Sequence, residues 1–208
     1  MAEMTQSMVA VANRALVKLG QGAAAFSLDT TTSLGGIVQT VWPGTVALAM
    51  SLFDWSIARK TYATNKLAET PNNGWAFGFQ LPATRIGDPV AVLTDVVREQ
   101  YLREFMIEGG FLYTNVEPVW VRCKGLVDPD YWDEGFKEAF AMLLASDLAV
   151  PLLQDTELAA SYRAQALGPP ADRNRGGLFG ALIAINIQAQ PQGRGFLDRD
   201  PLTQARFA

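Results

Sequence analysis

The apolar residues of this chain change their spacing twice, and that change limits the fold more than any other feature. Up to about Tyr62 they recur at helical intervals. After the turn-forming cluster Glu69-Thr70-Pro71-Asn72-Asn73-Gly74 they alternate, as in strands. From Asp128-Pro129 the helical interval returns. A chain that runs helix, strand, helix without a repeating βαβ unit is expected to segregate its layers, giving an α+β fold. The expectation is therefore a mainly helical bundle, a small antiparallel β-insertion and an extended C-terminal arm. The boundaries drawn from the sequence are 1–68 for the first helices, 69–127 for the β-region, 128–167 for the later helices, and 168–208 for a linker and the arm.

Local signals fill in this order. Thr5 or Ser7 can cap a helix that runs to Leu19, with Val9, Ala12, Leu16 and Leu19 on one face and Gly20 at its end. Thr30-Thr31-Thr32-Ser33 offers caps for a second helix with Ile37, Val41, Leu48, Leu52 and Trp55 as its face. Pro43 predicts a kink or a restart, so two roughly collinear pieces are expected. Trp75, Phe77, Phe79 and Leu81 alternate up to Pro82, and Val90, Val92 and Leu93 follow the turn formers Gly87-Asp88-Pro89. Tyr101–Ile107 and Phe111–Thr114 flank Gly109-Gly110 as a hairpin, and Val119, Val121 and Cys123 alternate in a further strand. A third helix carries Phe136, Phe140, Leu143, Leu144, Leu148 and Leu152, with Pro151 near its end. A fourth places Leu158, Tyr162 and Ala166 at intervals of four. Residues 178–187 are apolar and read equally as helix or strand. Residues 188–208 lack a core pattern and read as an arm ordered by a partner.

Chemistry is constrained chiefly by what is missing. The 208 residues include no histidine and one cysteine. Ser-His-Asp and Cys-His catalysis, histidine general bases and the common zinc sites therefore have no ligands or bases to use. Cys123 has no partner for an intrachain disulfide and is expected to face the core. No secretory leader is read at the start, and no run approaches the roughly 18 apolar residues of a membrane helix. A soluble chain folded in a reducing cytoplasm, without membrane contact, is the expectation.

The charge is uneven. Residues 1–159 hold 11 Lys/Arg against 18 Asp/Glu, whereas residues 160–208 hold 6 against 3. An acidic body argues against sequence-specific nucleic-acid binding, which needs a concentrated basic face. The basic tail sets Arg173, Arg175, Arg194, Arg199 and Arg206 among Phe196, Leu197, Leu202 and Phe207. That mixture favours docking on a protein partner over free solvation, so these nine residues are the candidate partner-binding set.

Other clusters have simpler readings. Asp128, Asp130, Asp133 and Glu134 lack the glycine and twelfth-position ligand of an EF-hand loop, and read as a turn with helix N-caps. Trp75, Phe77 and Phe79 have no interleaved basic residue and read as a strand's core face rather than a stacking platform. Gly20-Gln21-Gly22, Gly35-Gly36 and Gly176-Gly177 do not extend into a phosphate loop. No cofactor and no metal is expected. A small hydrolase or ligand-binding domain built on Asp128, Asp130 and Tyr131 is the alternative from another class, and it has no recognisable acid–base pair.

Several segments in succession resemble tail tubular protein A and related head-to-tail adaptor proteins of short-tailed bacteriophages. They are Ala15-Leu16-Val17-Lys18-Leu19-Gly20, Phe53-Asp54-Trp55-Ser56-Ile57-Ala58, Gly74-Trp75-Ala76-Phe77-Gly78-Phe79-Gln80-Leu81-Pro82, and the Leu-Ala-rich helix from Phe136 to Ala149. The resemblance spans about Met8 to Leu153, and the tail after Gly168 departs from it. It implies a structural, non-enzymatic subunit of the virion neck, assembled in the host cytoplasm. Such a subunit repeats as a dodecameric ring between the portal protein and the tail nozzle protein. Genomic DNA would pass through the ring without sequence-specific binding, a passage that an acidic lumen eases. A stopper or tail-completion protein, also a virion ring component, is the nearer alternative.

Overall fold

The computed structural model describes residues 5–21, 33–173 and 175–189, and within them the chain is α+β, 49% helical and 22% strand. Helix α1 (Gln6–Lys18) starts at Thr5, whose side chain accepts the Met8 N–H while the Met8 sulfur accepts the Thr5 N–H. These two bonds occupy donors that a helix start leaves open. The helix stops where Gly20 adopts φ +74°, a conformation that costs glycine little. Its fully buried side chains are Val11, Ala12, Ala15 and Leu16, with Val9 only partly covered.

Helix α2 (Ser33–Ser51) runs without interruption through Pro43. The expected restart is absent, although the proline still removes one backbone donor. Thr45 Oγ1 bonds the Val41 carbonyl at 3.2 Å beside it. Trp42 and Val46, buried on either side of the proline, hold both halves against the next helix. The buried stripe is Val38, Trp42, Val46 and Ala49, one position round from the expected Ile37, Val41 and Leu48, which are partly covered. A helix this apolar has no strong moment to fix its rotation, so the large Trp42 ring decides it. Trp55 lies past the helix end, capping a 3-10 turn over Ser56–Ala58, and its Nε1 donates to the Ala49 carbonyl at 2.9 Å.

Eight strands follow in two antiparallel sheets. Strands β1 (Arg59–Ala63) and β2 (Asn65–Lys66) come first, inside the stretch the sequence had assigned to helices. Then come β3 (Phe77–Gln80), β4 (Arg85–Asp95), β5 (Gln100–Tyr101), β6 (Met106–Glu108), β7 (Phe111–Thr114) and β8 (Trp120–Gly125). One sheet has the order β1-β8-β4-β5, the other β2-β3-β7-β6. Between β1 and β2 the chain passes from one sheet to the other at Thr64, whose hydroxyl bonds the Val119 carbonyl at 2.7 Å. Phe79 and Leu112 from the second sheet meet Val92, Val121 and Cys123 from the first in one buried cluster.

Two turn signals had different outcomes. Gly109 and Gly110 take φ +60° and +86° between the paired residues Glu108 and Phe111, the two-residue hairpin that Gly-Gly favours. Gly87-Asp88-Pro89, by contrast, lies inside β4, where the register against β8 slips between Ile86 and Ala91. It is a bulge within a long strand rather than the turn preceding a short one, and a bulge accommodates both residue types.

Helix α3 (Glu134–Leu153) is buried nearly all round, which makes it the axis of the helical half. Asp133 caps it through Phe136 N at 2.7 Å, and Gln154 in the left-handed region ends it, beyond Pro151. Helices α1, α2 and α4 (Thr156–Leu167) pack against it. Asp147 Oδ2 accepts from Thr45 Oγ1 at 2.6 Å, and its Oδ1 lies 3.6 Å from Arg163, tying α2, α3 and α4 together. The Tyr162 hydroxyl donates to the Lys18 carbonyl at 2.5 Å, closing α4 on α1.

After Gly168-Pro169 and a 3-10 turn over Pro170–Asp172, the chain forms α5 (Gly177–Ala189), which settles residues 178–187 as helix. Phe179 from α5 is fully buried against Trp55 and Phe136. The two halves of the molecule join where Lys124 Nζ donates to the Ser51 and Phe53 carbonyls at 3.2 and 3.3 Å. Beside it Arg59 pairs with Asp54 at 2.7 Å.

Candidate interaction surface

Helix α5 is the element whose composition and exposure disagree most. Its thirteen residues include no charge, and the only fully buried one is Phe179. Ile185 and Ile187 are 60% and 56% exposed, and Leu178 is also exposed. A helix that is apolar on every face is normally enclosed, whereas this one is covered on one side only.

Glycines allow that one side to seat closely. Gly177 has φ +59°, and a Cβ there would stand 2.4 Å from the Gln165 carbonyl oxygen and 2.7 Å from that of Ala166. The α5 start therefore lies directly on the backbone of the α4 end, and Gly176 N donates to the Leu167 carbonyl at 2.9 Å. On α3, a Cβ at Gly135 would come within 3.0 Å of Leu182. At the far end, Asn186 Nδ2 donates to Ser56 Oγ at 3.1 Å.

Between α5 and the body runs a groove of about 340 Å³, walled by Trp55, Ile57, Phe136, Leu182 and Ile185, with Asp133 and Ala189 also lining it. Its walls are apolar, and Asp133 is the one ionisable lining residue. Such a lining suits a hydrophobic side chain better than a polar metabolite.

A second apolar feature lies on the β4–β5 hairpin. Asp95 Oδ1 accepts the Val97 and Arg98 N–H groups at 2.8 and 3.0 Å, and this fixed turn leaves Val97 94% exposed.

The acidic cluster is occupied by structural contacts. Asp128 caps the 3-10 turn over Pro129–Tyr131 through Asp130 N and also accepts from Ser7. Asp133 caps α3. Glu134 pairs with Arg14 at 2.7 Å and with Lys137 at 3.0 Å. The Lys137 hydrogen bond first, then Arg14, hold the Glu134 carboxyl below the usual range. Among the described residues no three Cys, Asp or Glu side chains converge as a metal site would require. None of the described helices is long and apolar enough to cross a membrane.

The aromatic triplet separates. Phe79 is buried, Phe77 is partly covered, and Trp75 precedes the strand. Lys66, distant in sequence, places its ammonium 4.2 Å from the centre of the Phe77 ring, so a cation does stand beside the aromatics. Pairing of β2 with β3 brings it there, and no local sequence pattern reports that pairing.

Of the nine partner-binding candidates, Arg173 and Arg175 are exposed on the turn between α4 and α5. Arg194, Phe196, Leu197, Arg199, Leu202, Arg206 and Phe207 lie outside the described residues. Sequence reading missed Leu178, Ile185 and Ile187. The signal was present as an uncharged run of helical length, but an apolar run does not announce which of its sides stays bare.

No protein-family model matches the chain, and no curated protein matches it.

Proposed function

We propose that the chain is a structural subunit that works by binding alone: a head-to-tail adaptor repeated in a ring between the portal and the tail nozzle of a phage particle. The observation that carries this reading is α5, an uncharged helix with Ile185 and Ile187 bare on an otherwise acidic body. A monomer gains nothing from such a face, whereas a ring subunit buries it against a neighbour. The order of helices, strands and helices agrees with the resemblance read from the sequence, and we take the helical half as the bundle that forms the ring wall. Twelve copies follow from that resemblance. Genomic DNA would slide through a lumen lined by the acidic body without being held.

Arg173 and Arg175 lie exposed on the turn before α5, and together with residues 190–208, the candidate arm, they are the proposed contacts to a portal subunit. Electron microscopy of the assembled particle tests the reading directly. The expected result is density for this chain as a ring at the neck, with α5 in a contact between chains. A monomer that never associates with the particle would overturn it. Deleting residues 190–208 should leave folding intact and weaken portal docking.

A further inference from the structure

We propose that the β4–β5 hairpin tip of one copy seats Val97 in the groove between α5 and the start of α3 of a second copy, with Arg98 against the Asp133 that lines it. The inference rests on the reading of α5 as a contact between chains, and names what the neighbour brings to it.

The groove suits a small apolar group with a cation beside it. Its walls include Trp55, Phe136, Leu182 and Ile185, and Asp133 is the one ionisable lining residue. Asp133 is exposed and uses Oδ1 to accept the Phe136 N–H at 2.7 Å. That leaves Oδ2 for a cation that arrives with the occupant.

The hairpin tip offers those two groups in succession. Val97 is 94% exposed, so it does not fill the groove of its own chain and needs another copy's. Arg98 follows, its side chain 85% exposed and 3.9 Å from Asp95, at the outer limit of an ion pair. Strand β5 is the edge of its sheet, so the tip is not enclosed between neighbouring strands. Asp95 Oδ1 already fixes the turn through the Val97 and Arg98 N–H groups, and a turn fixed beforehand loses little freedom on docking.

Knob and groove lie on one chain but on different halves of it. A contact between two such unlike patches is heterologous: each copy gives a tip and receives one, and the series is complete only when a ring closes. A two-fold pairing of α5 with α5 would leave every Val97 bare. Charge supports the same choice. Two acidic bodies repel, and a cation set on a carboxylate selects the tip as the part of one copy that enters the groove of another.

The test is disulfide trapping between two full-length single variants with different tags, Val97→Cys and Ile185→Cys. Cysteine is itself small and apolar, so it keeps the character of the tip, and the native Cys123 is buried. Mixed at high concentration and oxidised with diamide, they should form the 97–185 heterodimer well before either forms its homodimer. Arg98→Glu should slow that linkage about threefold, as for an exposed ion pair. Asp133→Asn, which keeps an oxygen for the helix cap and loses the charge, should slow it to a similar degree. Val97→Ala removes two methyl groups from a side chain in solvent. It should leave urea unfolding unchanged and weaken self-association in sedimentation about tenfold. Homodimers that form as fast as the heterodimer, or no linkage at all, would overturn the proposal. So would Val97→Ala protein that associates as well as the wild type. A ring at the particle neck with α5 between chains and the hairpin tip elsewhere would overturn this pairing and leave the adaptor reading standing. Linkage of 97 to 185 in a chain that never joins a particle would uphold the pairing and overturn the adaptor reading.

Discussion

Gly177 lies so close to Gln165 that a β-carbon on it would stand 2.4 Å from the Gln165 carbonyl oxygen. No side chain fits that gap, and φ +59° is itself costly for any residue but glycine. The close approach of the α5 start to the α4 end therefore depends on one hydrogen atom. It also fixes how deeply Phe179 enters the helical core.

Gly177→Ala should lower stability by roughly 2–4 kcal/mol, because strain adds to the displacement of α5. Gly44→Ala is the control: it lies within α2 with nothing within 4 Å of its Cβ position, and should be neutral or stabilising by about 0.5–1 kcal/mol. Urea unfolding followed by tryptophan fluorescence separates the two.

Phe179→Ala removes a fully buried ring whose centre lies 5.6 Å from that of Phe136 and 6.2 Å from that of Trp55. The expected loss is about 3–5 kcal/mol. Ile187→Ala, on the bare side of the same helix, should change monomer stability by less than about 0.5 kcal/mol. If α5 is a contact between chains as proposed, the second variant should instead weaken self-association, read by sedimentation or particle incorporation.

Asp147 should prove worth more than its ion pair. Asp147→Ala loses the Thr45 hydroxyl bond and the Arg163 contact together, for about 1.5–3 kcal/mol. Arg163→Ala should cost less than about 1 kcal/mol, since that side chain is about half exposed and its contact is long, at 3.6 Å. A double-mutant cycle between Asp147 and Thr45 should show the larger coupling.

Cys123 is held as a neutral thiol. Burial between the sheets raises its pKa above 9.0, against a smaller opposing pull from the Arg85 charge. The unfolded chain ionises first, so stability is complete below about pH 9 and falls as pH rises towards the folded pKa. Cys123→Ala should abolish that alkaline loss in urea titrations. A thiol reagent should modify the wild-type protein only as fast as it opens.

Glu134 titrates in the opposite sense. Its carboxyl lies below the ordinary value of 4.5 because Lys137 and Arg14 bond the charged form. The contribution is present above that value and is lost as pH falls through the folded pKa. Glu134→Gln should be less stable than the wild type at neutral pH and converge with it as pH falls; equal stability at neutral pH would show the pairs to be inert.

The element order was legible because each signal acts over a few residues. Thr5, Gly20, Asp133 and Gly109-Gly110 cap or turn the backbone by local bonds and allowed φ values, so a reader of the sequence sees the same physics as the chain. The candidate surface was only half legible. The uncharged run of α5 was visible, but neither its secondary structure nor its bare side was.

What the sequence determined alone was therefore the kinds of segment, their succession, the want of histidine chemistry and the contrast between acidic body and basic tail. Tertiary structure decided the rest: the rotation of α2 set by Trp42, the seat of Lys66 beside Phe77, and the half-covered state of α5. These depend on which surfaces meet. Contact energy comes from pairs far apart in the chain, and two adjacent apolar stripes on one helix remain equivalent until a neighbour packs on one of them.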